Sequence, residues 1–348
     1  MKSILIIFFV CLFIGKSNGQ PYEFAFKIDS LINTKYPRSF NGIVWITKNG
    51  KAIYSKTKGY SDFEKKTTFT LKDNFRIQSL SKQITAVIVL REVEKGRINL
   101  HAPISQYLPD LKQTWADTVT VHQLLNNTSG IVSIHKPLLF KPGTAYYYSN
   151  PGYGLVRPIL EKVTGKTFIE TANSLFKELK MDNSYCYDLD KPSNGLINGY
   201  WINRDSISVY DFKKLNYTID TWQDFVPAGG MISNAIDLNL WERKLHNGKI
   251  LKPESYKLMT SYEMAVDHEA FGKDKMGYGY GIRVSVNSQL FYLGHAGKGL
   301  GFTSLKFYIP SKDICVIVLQ NVYDVNTSSH YYFESKIRDI ILKSNLSK

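Results

Sequence analysis

Ser79 and Lys82 stand three residues apart, a spacing that can turn an unreactive hydroxyl into a nucleophile. A serine hydroxyl attacks poorly near neutral pH unless a base lies within hydrogen-bond reach. On a helix, positions three apart share a face with Cβ atoms about 5–6 Å apart, so the Lys82 amine can meet the Ser79 hydroxyl. The same spacing occurs four times, at Ser55, Ser79, Ser133 and Ser174, so context decides. Ser55 follows the turn Asn49-Gly50 in an alternating stretch, where positions three apart face opposite sides of a sheet. Ser133 lies between Ser129-Gly130 and Pro137 and reads as loop. Ser174 sits among Glu170, Lys177, Glu178 and Lys180, on what reads as a solvated helix face. Ser79 alone follows an extended stretch, Phe75-Arg76-Ile77, and opens an apolar helical run through Ile84, Val87, Ile88 and Val93 that Lys95-Gly96 stops. The bland alternative is that Ser79 or Ser81 only caps that helix, since serine is a preferred N-cap.

Two further groups follow in the chain. Tyr148 and Asn150 place a phenol and an amide two residues apart in a turn-rich loop. Gly294-His295-Ala296-Gly297 lies between the strand-like stretches 289–293 and 302–309. In this order the residues resemble the serine hydrolases of the class C β-lactamase type, a family that includes DD-peptidases and related esterases and aminopeptidases. Its motifs Ser-x-x-Lys, Tyr-x-Asn and Lys/His-x-Gly match Ser79/Lys82, Tyr148/Asn150 and His295/Gly297. The segments 119–130, 227–231 and 301–304 resemble its connecting motifs.

The resemblance implies a catalytic set of Ser79, Lys82 and Tyr148, with Asn150, His295, Gly297 and Lys298 on the substrate side. Ser79 would attack an amide or ester carbonyl, and water would later release the acyl group. The backbone N–H groups of Ser79 and Lys298 are the implied oxyanion donors. Lys82 and Tyr148 have ordinary pKa values near ~10.4 and ~10, and the sequence leaves open which is the base. Tyr148 is expected to protonate the leaving group, and Gly297 to let a strand approach substrate without a Cβ in the way. His295-Ala296-Gly297 stands where class C β-lactamases usually carry Lys-Thr-Gly. His295 need not be charged at neutral pH, and Ala296 has no hydroxyl to offer a substrate carboxylate. These departures favour a DD-carboxypeptidase-like or D-aminopeptidase-like peptidase, or another β-lactamase-related hydrolase, over an efficient β-lactamase. Against that stands Lys298 or another cation restoring carboxylate binding. A short-acyl esterase and a non-catalytic penicillin-binding sensor or scaffold are the alternatives. Asn127 stands where many relatives have histidine, with a structural role expected.

The elements that must position these groups read as follows. Residues 42–48 and 51–58 form a hairpin around Asn49-Gly50. From 79 to 264 the chain reads as helix and loop, with helices near 153–161, 168–179 and 235–245. Strands return at 278–286, 289–293, 302–309 and 313–319, before a last helix at 333–342. The order predicts an α+β fold in which strands from both chain ends share an antiparallel sheet flanked by terminal helices. A mainly helical domain, 79–264, is inserted between the sheet segments 20–78 and 265–348, and the resemblance implies the same β-lactamase/transpeptidase-like arrangement. A site between the two would gather Ser79, Tyr148 and His295.

Residues 1–19 have the parts of a signal peptide: Lys2, an apolar run 4–14, then Lys16-Ser17-Asn18-Gly19. Export to the periplasm or beyond is the expectation. The run is shorter than the about 20 residues of a membrane span, so no transmembrane segment is expected. The formal net charge of +14 is scattered and lacks a basic block interleaved with aromatics, which argues against a nucleic-acid partner. The expected partner is a small-molecule or peptide substrate, peptidoglycan fragments included. The seven histidines show no metal-ligand spacing, so neither metal nor cofactor is expected. Cys186 and Cys315 are expected as free thiols, Cys315 within a buried strand.

Overall fold

The computed structural model describes residues 23–347 apart from 192, 194, 204, 205 and 287–289. The signal peptide expected over 1–19 lies outside these residues. Helix α1 (Glu23–Ile32) precedes the hairpin of β1 (Gly42–Lys48) and β2 (Lys51–Lys58), whose turn places Asn49 and Gly50 at positive φ. Helices α2 (Ser81–Glu94), α3 (Asn150–Gly154), α4 (Ile219–Gly229) and α5 (Ala235–His246) follow. The strands then resume as β3 (Ala265–Val266), β4 (Met276–Tyr278), β5 (Arg283–Ser285), β6 (Leu293–Gly299), β7 (Phe302–Ile309) and β8 (Ile314–Gln320). Helix α6 (Tyr332–Lys343) closes the chain.

These strands form one eight-stranded sheet in the order β3-β4-β5-β6-β7-β8-β1-β2, with antiparallel neighbours throughout. All of β8 is buried because both faces of the sheet are covered. Side chains alternate across a strand, so Ile314, Val316 and Val318 enter one core and Cys315, Ile317 and Leu319 the other. The first core is closed by Phe24, Ile28 and Ile32 of α1 and by Phe333, Ile337 and Ile341 of α6, each set spaced by about one helical turn. On the other face α2 has eleven of its fourteen residues buried, so it is a core helix rather than an amphipathic one.

The expected strand 278–286 is two strands. Gly279-Tyr280-Gly281 breaks it, and a Cβ on Gly281 (φ +63°) would lie 2.4 Å from the Lys82 carbonyl oxygen. The turn therefore presses against the first turn of α2. The stretch expected as helix and loop also contains short strands. Met231–Ser233 pairs with both Phe75–Arg76 and Tyr185–Cys186, which brings the segment 227–231 beside Ser79. Tyr200–Asn203 pairs with Ser206–Val209 and runs parallel to Val322–Asp324. Runs of two to four residues are too short to carry a period-2 signal. Cys186 and Cys315 are buried and unbridged. Among the described residues, no helix is long and apolar enough to cross a membrane.

Candidate active site

Ser79 sits in a tight turn, Gln78–Leu80, between an extended segment and α2. Gln78 takes φ 52°, a left-handed conformation uncommon for a residue with a side chain. Two neighbours hold the turn in place: Ile77 donates its N–H to the Met231 carbonyl at 3.1 Å, and Ser304 Oγ on β7 donates to the Ile77 carbonyl at 3.1 Å. Gly297 of β6 packs directly on it, since a Cβ there would lie 2.7 Å from the Ile77 oxygen and 2.9 Å from Gln78 Cβ. The clearance that this glycine provides is taken up by the turn bearing Ser79. No serine side chain caps α2. Ser81 Oγ donates to the Gln78 carbonyl at 2.6 Å and accepts from Met231 N–H at 3.2 Å, which ties the turn to the neighbouring segment.

Lys82 is fully buried, with its Nζ 2.7 Å from Asn150 Oδ1, 2.8 Å from the Ala228 carbonyl oxygen and 3.5 Å from Ser79 Oγ. Among the described residues no carboxylate pairs with it. Burial pushes its pKa well below the usual lysine value, and the positive charge of Arg283 pushes it further. A neutral amine has two N–H donors and one lone pair. With the amine neutral, the oxygens of Asn150 and Ala228 would take its two donors and leave the lone pair for the Ser79 hydroxyl.

Tyr148 is carried by a loop that Asn127 anchors. Asn127 (φ 62°) accepts the Ser149 N–H on Oδ1 at 3.0 Å and the Tyr147 N–H on its carbonyl at 2.9 Å. Ser149 then caps α3 by accepting the Gly152 N–H at 2.8 Å, which sets Asn150 at the helix start. The Lys82 Nζ stands 4.6 Å from the Tyr148 ring centroid. Burial raises the Tyr148 pKa, and a hydrogen bond with Ser79 offsets only part of that rise, so the phenol keeps its proton at neutral pH.

The third motif is split between two roles. His295 is 1% exposed, and both its ring nitrogens are used inside the protein. Nδ1–H donates to the Ala296 carbonyl at 2.7 Å, which leaves Nε2 to accept from the Tyr278 hydroxyl at 3.0 Å. Burial, helped by Arg283 and Lys82, holds its pKa well below the usual histidine value, so it is neutral. It stands behind the cavity wall rather than in it. Lys298 does line the cavity, its Nζ 2.9 Å from His330 Nδ1 and 3.6 Å from a Glu269 carboxylate oxygen. Its backbone also faces the site. Ser285 N–H bonds the Tyr292 carbonyl at 3.0 Å, and the β5–β6 register ends at Arg283↔Gly294. Backbone groups of alternate residues face the same side, so Ala296 and Lys298 follow Gly294 and look onto an edge that β5 no longer covers.

The cavity has a volume of about 430 Å³, and its walls include Ser79, Tyr148, Asn150, Arg283, Ala296 and Lys298. Arg283, on β5, is the residue the sequence reading missed. It is 3% exposed, its Nε and Nη1 have no hydrogen-bond partner among the described residues, and its guanidinium lies 5.1 Å from the Tyr278 ring centroid. An arginine inside an otherwise apolar strand was the one available signal. The Ala228 carbonyl was missed because backbone groups leave no mark in sequence.

A two-faced antiparallel sheet packed with helices, and a Ser-Lys-Tyr cluster held between the edge of β6 and the core helix, define the β-lactamase/transpeptidase-like α+β architecture. The chain belongs to the Beta-lactamase family, whose model matches residues 35–333. It is 25% identical over 305 residues to Protein flp of Staphylococcus aureus strain N315, covering 80% of this chain and 59% of that protein. The chain thus spans less than two thirds of that relative. It is 24% identical over 307 residues to the Teichoic acid D-alanine hydrolase of Staphylococcus aureus strain MRSA252, covering 78% of this chain and 72% of that one. Among solved structures it resembles the octameric penicillin-binding protein homologue from Pyrococcus abyssi, with TM-score 0.76 and 25% identity over 92% of this chain and 78% of that one.

Proposed function

We propose that this protein is a serine hydrolase that cleaves a small amide or ester through an acyl-enzyme on Ser79. The observation that carries this reading is the setting of Lys82: a buried amine without a counter-charge, its donors occupied, beside the serine hydroxyl. Burial and the charge of Arg283 lower the Lys82 pKa, which favours the unprotonated form that a base requires. Lys82 takes the Ser79 proton as Oγ bonds to the substrate carbonyl carbon. The resulting oxyanion meets the N–H groups of Ser79 and Lys298. Tyr148 gives its proton to the leaving nitrogen or oxygen as that bond to carbon breaks, and the proton on Lys82 returns to the Tyr148 oxygen. Water then attacks the acyl carbon, losing a proton to Lys82, and Ser79 Oγ regains a proton as it departs. The side-chain amide of Asn150 remains able to donate a hydrogen bond to the acyl half of the substrate from Nδ2.

Arg283 favours the peptidase form of this reading. Arg283 is buried and has no ion-pair partner among the described residues, Asp267 being an acidic residue in the same cavity wall, and a carboxylate on the leaving half of a substrate would offset the cost of burying its charge. A short neutral ester leaves it unpaired. Arg283 thus supplies a cation where His295 stands in place of the third motif's lysine. The test is incubation with a fluorescent phosphonate, followed by turnover of a D-alanyl peptide. Labelling on Ser79, absent in Ser79→Ala, and product continuing beyond one equivalent are expected. Labelling that survives Ser79→Ala, or a single equivalent of product, would reject the proposal.

A further inference from the structure

Tyr278 ends β4 behind the wall of the reaction cavity, where it is 1% exposed. Groups that do line the cavity surround its ring: the Tyr146 and Tyr148 ring centroids lie 5.5 and 6.1 Å away, and the Arg283 guanidinium 5.1 Å. The backbone that carries it is fixed, since its N–H donates to the Met264 carbonyl at 3.0 Å and the sheet pairs it with Arg283. Burial, and then the phenols of Tyr153, Tyr148 and Tyr146, push its pKa well above the usual tyrosine value, so it keeps its proton and can donate a hydrogen bond. At rest that bond goes to His295 Nε2 at 3.0 Å, because the imidazole Nδ1–H is committed to the Ala296 carbonyl.

The proposed reaction gives that hydroxyl a second use. When Tyr148 hands its proton to the leaving group, its oxygen becomes a buried phenolate, a costly state until Lys82 returns a proton. The hydroxyls of Ser79 and Tyr278 are the two that offset the burial of Tyr148 by bonding to it. At that moment Ser79 Oγ is bonded to the acyl carbon and carries no hydrogen. Of the two, only Tyr278 can still donate. We infer that Tyr278 is a positioning residue for the leaving-group step: its O–H turns from His295 to the Tyr148 oxygen as the phenol loses its proton, and turns back when Lys82 restores it. A hydrogen bond to a charged oxygen is about twice as strong as one between neutral groups, so the exchange favours the phenolate over His295 Nε2. The Tyr278 O–H bond itself stays intact throughout. His295 thus acts on the reaction through Tyr278. This inference rests on the acyl-enzyme reading above.

The test is the dependence of kcat/KM on the leaving group, measured with the acetate esters of p-nitrophenol, phenol and trifluoroethanol. Nitrophenolate departs without a proton, whereas an alkoxide needs one, so the poorer leaving groups depend on Tyr148. Tyr278→Phe keeps the ring and removes the hydroxyl. It should lower kcat/KM about 10- to 100-fold on the trifluoroethyl ester, the worth of one hydrogen bond to a charged group, and less than about threefold on the nitrophenyl ester. Tyr278→3-fluorotyrosine keeps the shape and makes the hydroxyl a stronger donor, so it should speed the trifluoroethyl ester alone, and it decides the matter if the phenylalanine variant does not fold. Equal losses on all three esters, no loss on any, or a fluorotyrosine variant whose rates match the parent's throughout overturns the inference. Phosphonate labelling of Ser79 in the same samples then leaves the acyl-enzyme reading standing. Absence of that labelling in the unsubstituted protein overturns both.

Discussion

Lys82 and Lys306 are both fully buried, they sit on a helix and a strand that pack together, and their surroundings differ in one respect. Lys306 Nζ bonds the Glu242 carboxylate and Gln83 Oε1. The same Gln83 oxygen accepts the Trp241 Nε1–H at 2.7 Å, and Glu242 meets His246 Nε2 at 3.3 Å. Burial alone would raise the Glu242 pKa, but the charge of Lys306 and the contact with His246 outweigh it and hold the carboxyl at about 2. Lys306 is thus one half of an ion pair that ties β7 to α2 and α5. Lys82, one residue before Gln83, has two neutral oxygens and a hydroxyl instead. Burial lowers the Lys82 pKa, and among the described residues no carboxylate offsets it.

The largest effect that would test this contrast is on activity. Lys82→Met should lower kcat by about 10²–10⁴-fold, the usual contribution of a general base, while the melting temperature holds or rises because a costly buried amine is gone. A fall in melting temperature with kcat retained would make Lys82 a strut instead. Lys306→Met should do the reverse. It strands Glu242 in the core and should cost about 3–5 kcal/mol of stability, read by chemical denaturation, with kcat of the folded fraction changed only several-fold. Smaller still is the effect of Arg283→Gln on the pH profile. In the proposed mechanism Lys82 must be unprotonated to act, and the charge of Arg283 helps keep its pKa down. Removing that charge raises the Lys82 pKa, so the acidic limb of kcat/KM should move to higher pH. A limb that stays in place would show that burial alone sets the base.

The sequence exposed those parts of the site whose spacing is local. Ser79 with Lys82, and Tyr148 with Asn150, are placed by one helical turn and one capped loop, and both pairs converge on the Lys82 amine. The sheet was legible where runs are long, as in β7 and β8, and the last helix, expected at 333–342, spans Tyr332–Lys343, whereas the first, Glu23–Ile32, was not located. The resemblance supplied the family, and its fold is the one present. What stayed hidden depends on distant partners. The Ala228 carbonyl is 146 positions from Lys82 and is backbone. His295 was read as facing substrate, yet its two ring nitrogens turn to Ala296 and Tyr278. The break between β4 and β5 follows from the close approach of Gly281 to α2, which no periodicity reports. Arg283 was passed over, because composition cannot say that all of β5 is buried.

The seam between β1 and β8 joins the first strand of the sheet to one of the last, pairing Gly42 with Gln320 and Lys48 with Ile314. During synthesis the opening hairpin therefore waits, one edge bare, for a neighbour made near the end of the chain, and such distant pairings form slowly. A bare edge invites strands from other molecules. A copy halted before Ile314 would carry every residue of the reactive cluster and still lack the strand that locks β7, and with it Ser304 and the serine's turn, into place.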